Sequence, residues 1–160
     1  MAEQYEGFLY AAHKDAITVD ALSSDPDLYC ESIAFHAQQA AEKMLKNVFE
    51  IHERQPEFTH DIGRLMSVAL DEDWLSAEES QIRTIVSLSK FAVAARYETA
   101  PDLTGAEARE AIIACNVLAD LLEENGLPNV RINSNAGLLR NEEAATQAVS
   151  CERDSSEVTE

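Results

Sequence analysis

The sequence predicts an all-α fold, an antiparallel up-and-down bundle of four to five helices followed by a poorly ordered C-terminal tail. Three observations predict it: apolar residues recur at helical spacing, alternating β-branched runs are nearly absent, and Gly and Pro, 5 and 4 of 160 residues, fall mainly between the periodic segments. A chain of 160 residues makes one compact core, so one domain over residues 1–125 is expected, with residues 126–160 as an acidic tail.

The first helix is read over residues 3–22, where Tyr5, Phe8, Leu9, Ala12, Ala16 and Val19 share a face. Asp25 is placed to cap the second helix, with Pro26 in its first turn, where a missing N–H costs nothing. That helix runs to about His52. Arg54-Gln55-Pro56-Glu57 breaks it, and Thr59 is placed to cap a short third helix with Ile62, Leu65, Met66, Ala69 and Leu70 inward. Ser76 and Glu79 read as the capping box of a fourth helix reaching Tyr97, and Thr104 with Glu107 as that of a fifth, which Gly126 and Pro128 stop.

Charge and cysteines narrow the function. A formal net charge of −18 repels phosphate backbones, so general nucleic-acid binding is disfavoured while a small local cleft is not. Cys30, Cys115 and Cys151 have neither paired spacing nor an even count, and read as reduced thiols rather than a zinc site or disulfide framework. No stretch is long and apolar enough to span a membrane, and MAEQYEGF lacks the basic start of a signal peptide, so a cytoplasmic protein is expected. Glu57 and His60 make a single E-x-x-H with no second copy, and no phosphate-binding Gly-rich loop or nucleophile elbow occurs. No metal, cofactor or catalytic residue is assigned.

The polar residues of the second helix, in FHAQQAAEKMLK (residues 35–46), are the candidates for function. One face carries Ile33, Ala37, Ala40, Ala41, Met44 and Val48 and is core, its alanines admitting a neighbouring backbone. His36 and Lys43 lie on the shoulder of that face. With His60 and Arg96 they are the basic groups expected to border one groove. Phe35, Gln38, Glu42, Lys46 and Phe49 line up on the far side, and two aromatics on a face that should be wet suggest a two-fold dimer, with Phe35, Gln38, Glu42 and Phe49 as its candidate interface. Arg96 falls on the apolar face of helix 4. Its structural reading is an ion pair with Asp15 or another carboxylate, and its functional reading a cation holding a phosphate or ribose oxygen.

FHAQQAAEKMLK, HDIGRL (residues 60–65), HKDAITVDAL (residues 13–22) and AARYET near the end of helix 4 together resemble the HEPN domain family over roughly residues 5–124. The resemblance implies a small helical bundle that dimerises and works beside a minimal nucleotidyltransferase, as a toxin–antitoxin pair or related two-component module, with a nucleotide or RNA as the ligand. Many members are metal-independent ribonucleases whose motif is Arg, four to six residues, then His. Arg96 resembles that arginine, but YETAPDLTG, which follows it, contains no histidine, and this departure argues against ribonuclease activity. Arg54 and His60 have the spacing but straddle Pro56, outside the motif's place. Three functions follow: a dimeric nucleotide- or partner-binding module; a ribonuclease toxin using Arg96 with a relocated His36 or His60; and a structural bundle whose odd polar residues are satisfied pairs.

Overall fold

The computed structural model describes residues 7–94 and 102–133. Within them the chain forms six helices and no strand: α1 (Gly7–Leu22), α2 (Cys30–Ile51), α3 (Ile62–Asp71), α4 (Glu79–Val86), α5 (Ser89–Ala94) and α6 (Gly105–Glu124). Tyr5, Arg96, Tyr97 and Cys151, which figure in the sequence reading, lie outside the described residues.

The 22-residue α2 is the axis of the bundle and packs against α1, α6, α3 and α5. Its pairing with α1 is antiparallel, because Phe8 at the start of α1 lies by Lys46 while Asp15, farther along, meets His36 and Lys43. Ala37, Ala40 and Ala41 are fully buried, as small residues at a close helix crossing should be. Phe49, Phe91, Ile33, Met44, Leu65, Ile85, Leu118 and Leu121 fill the core around them.

The element ends differ from the sequence reading in instructive ways. Residues 25–29 make a turn of their own, in which the Leu28 N–H donates to Asp25 Oδ1 at 3.2 Å and the Tyr29 N–H to Asp25 O at 3.1 Å, so Asp25 caps that turn and not α2. Asp61, not Thr59, caps α3 by accepting from the Arg64 N–H; Thr59 Oγ1 accepts from the Asp61 N–H one step earlier, which sets the cap in place. Helix α4 starts two residues later than expected, its N-cap at Glu78 rather than Ser76, with Gln81 Oε1 accepting from the Glu78 N–H at 2.9 Å, and it ends at Val86, so the fourth helix is two helices. Ser87 Oγ turns back to Thr84 O at 2.6 Å there, the local competition by which serine interrupts a helix. Thr104 caps α6 through the Glu107 N–H as predicted, and Gly126, at φ 70°, closes it.

The expected departure of the chain at Gly126 is corrected for residues 127–133. Val130 and Ile132 are buried in the core, alternating inward along an extended segment. The buried side chain of Asn116 on α6 satisfies both backbone groups of Ile132, donating to its carbonyl at 3.0 Å and accepting from its N–H at 2.9 Å. Arg131 pairs with Asp120. This segment is a strap across the bundle and part of the domain.

Candidate functional site

Two buried carboxylates organise the polar residues of α2. The first is Asp15, set into the apolar stripe of α1 between Ala12, Ala16 and Val19. Its Oδ1 lies 2.8 Å from His36 Nδ1 and its Oδ2 2.5 Å from Lys43 Nζ. Because a carboxylate only accepts, His36 carries its proton on Nδ1, which leaves Nε2 as the ring's other nitrogen. Positions 36 and 43 are two turns apart on one side of α2, which is why a single carboxylate serves both. The charge of Asp15 is also felt on α6: burial, and secondarily Asp15, push the Cys115 thiol up to about 12.

The second carboxylate is Glu42, one residue before Lys43 and therefore turned about 100° away around the helix axis. It faces α3 and the loop before it. Glu42 Oε1 takes Lys46 Nζ at 2.9 Å, both its oxygens lie 3.1 Å from His60 Nδ1, and Gln38 Nε2 donates to Oε2 at 3.2 Å. Gln39 Nε2 donates to Gln38 Oε1 at 2.6 Å, and Gln38 Nε2 also reaches the His60 carbonyl at 3.4 Å. Both glutamines of the signature thus belong to one network around one carboxylate, which satisfies a charge that would otherwise be costly to bury.

The sequence-predicted groove therefore separates into parts. His36 and Lys43 come together on Asp15, while His60 goes to Glu42 on another side of α2. Arg96 lies outside the described residues, and the carboxylate proposed as its ion-pair partner is held by His36 and Lys43. The candidate dimer interface is corrected more strongly. Gln38 and Phe49 are fully buried and Glu42 nearly so, all within one protomer, and Phe35 alone of the four is half-buried. Phe49 is covered by Trp74, edge-on at 5.1 Å, so α3 and its following turn fill the side that looked wet in projection.

Sequence reasoning gave no role to Trp74, His52 or Arg54 as a group. His52 stacks on Trp74 at 4.5 Å and 15°, and the Arg54 guanidinium sits 5.7 Å from the Trp74 ring while binding Glu72 at 2.8 Å. A single Trp just after a helix stop, with His and Arg just after the preceding one, was the available signal. Asp15 had a clearer one, a charge inside a stripe of alanines and valine. Among the described residues no cluster of His, Cys, Asp and Glu has the arrangement of a metal site, and no helix is long and apolar enough to cross a membrane.

Among the described residues the chain is a bundle of six helices whose central helix carries groups from two carboxylate-centred polar networks. The HEPN domain family model matches residues 5–125, and the chain belongs to that family. Comparison with curated proteins and with solved structures returned no match.

Proposed function

We propose that the protein is a non-catalytic HEPN module of the branch that lacks the distal histidine. It works as a homodimer, binds a nucleotide or a nucleotidyltransferase partner, and serves a toxin–antitoxin or related two-component system. The observation that carries this reading is the internal neutralisation of the α2 cations. His36 and Lys43 are committed to Asp15, and Lys46 to Glu42, inside one protomer. Arg96 is then the cation assigned to a phosphate or ribose oxygen. The absence of histidine in YETAPDLTG supports a binding role over cleavage.

Calorimetric titration with ATP, of the protein alone and with a minimal nucleotidyltransferase as the candidate partner, tests the reading. Saturable binding of nucleotide or partner that Arg96→Ala weakens at least tenfold supports it; the absence of both overturns it. Sedimentation at micromolar concentration tests the dimer, whose interface must lie outside Gln38, Glu42 and Phe49.

One observation favours a ribonuclease as the second reading. His60 is half-exposed, with Nδ1 fixed by Glu42, the arrangement that orients an imidazole so that Nε2 exchanges protons with a substrate. RNA cleavage that survives purification and is lost in His60→Ala would replace the first reading with this one.

A further inference from the structure

A cleft of about 480 Å³ opens at the C-terminal end of α2, between the first turn of α1 and the loop leading to α3. Phe8 and Phe58 stand on its walls, and Lys46, Arg54 and three glutamates on its rim. Most of those charges are already matched. Lys46 binds Glu42 at 2.9 Å, Arg54 binds Glu72 at 2.8 Å, and Glu57 takes Arg64 through both its oxygens at 2.9 Å each.

Glu50 and Glu53 are left, exposed and without a side-chain partner among the described residues. The carbonyl end of α2 adds its own partial negative charge at the same place. Phe58 is fully exposed, and among the described residues nothing covers its ring. Unmatched carboxylates beside an uncovered aromatic face make a site for a cation that is also planar.

We propose that this cleft receives an arginine side chain presented by a basic segment of a protein partner, with the guanidinium against Phe58 and forked between Glu50 and Glu53. Arginine fits better than lysine because its planar group stacks on a ring while offering donors to two carboxylates at once. The cleft is larger than one side chain and so admits the flanking backbone. A protein of net charge −18 draws such a segment in over long range, and the cleft gives it a place to stop. This site meets the Glu42 network at Lys46, and the proposal stands whether or not a nucleotide binds elsewhere.

Calorimetry of the full chain with N-acetyl-triarginine amide is the test, using spermidine, of equal charge, as the comparison. Saturable binding of the peptide is expected, weakened roughly fivefold or more in Glu50→Gln/Glu53→Gln and roughly threefold in Phe58→Ala. The control Glu78→Gln/Glu79→Gln, on α4, should bind as wild type does, and spermidine several-fold more weakly than the peptide. All the substituted residues are exposed, and matching thermal midpoints establish that the variants fold. No saturable binding, equal weakening by both glutamine pairs, or equal affinity for spermidine would overturn the proposal, the last two by showing attraction to overall charge alone.

Discussion

Asp15 on α1 and His36 on α2 stand 2.8 Å apart, Oδ1 to Nδ1, across a helix pair whose other contacts are almost all apolar. The same carboxylate holds Lys43 through its second oxygen. An acidic residue at this depth is tolerated because two donors meet it, and those donors are spaced two turns apart for that purpose.

Asp15→Ala removes the acceptor for both donors and leaves a hole at the α1–α2 contact. The loss of stability should be about 2–3 kcal/mol, less than the roughly 3–5 kcal/mol of a fully buried pair, because His36 and Lys43 remain partly in water and can turn to it. Urea unfolding at pH 7 measures it, as a fall in midpoint at unchanged slope.

The strap over residues 127–133 should carry stability that the bundle lacks without it. Asn116→Ala strands the N–H and carbonyl of Ile132 and is expected to cost about 2 kcal/mol. Truncation after Gly126 also uncovers the sites filled by Val130 and Ile132 and should cost more. A truncated chain as stable as the full one, by thermal melting, would contradict the place given to the strap.

Asp20 presents the opposite case to Asp15. Its Oδ1 is buried with no hydrogen-bond partner among the described residues, and burial raises its carboxyl above the usual range despite an N–H from Asn133. A raised carboxyl favours the protonated form in the folded state. Stability is therefore fully present below the ordinary carboxylate range and is lost as pH climbs through the raised value. Asp20→Asn should raise the thermal midpoint at pH 7, and the gain should vanish as the pH is lowered toward 3–4, around the ordinary aspartate range of about 3.9.

Cys115 is fully buried, with its thiol pushed up to about 12, so almost none of it is thiolate at pH 8. Iodoacetamide followed by peptide mass spectrometry should leave Cys115 unmodified in the native protein and modify it in urea. Rapid native labelling would mean that α6 opens away from Asp15 and α2.

Much of the bundle was legible in the sequence because its signals are local. Thr104 with Glu107 needed only a cap and a following stripe, and Ile62, Leu65, Met66 and Ala69 needed only their spacing. Caps were misplaced where two candidates stood close together: Thr59 and Asp61 both bond near the start of α3, and only the backbone path decides which is the cap. The far side of α2 was misread for a different reason. A helical projection shows that Phe35, Gln38, Glu42 and Phe49 share a side, but not that α3 and Trp74 come to cover it, which depends on contacts between distant segments. Val130 and Ile132 were missed because two alternating residues are too short a pattern to distinguish from a tail. The candidate site divides along the same line. That His36 and Lys43 share a side followed from spacing, whereas their common partner on α1, and the separate partner of His60, are tertiary facts.

The central claim is that the polar signature of α2 is an internal framework closed by buried carboxylates, rather than an open cluster of chemical groups. A double-mutant cycle on Asp15→Ala and His36→Ala, read by urea unfolding at pH 7, tests it most directly. The account predicts a coupling of about 1–2 kcal/mol between the two substitutions. Additive effects, agreeing within about 0.3 kcal/mol, would contradict it and return His36 to the list of groups free to act on a ligand.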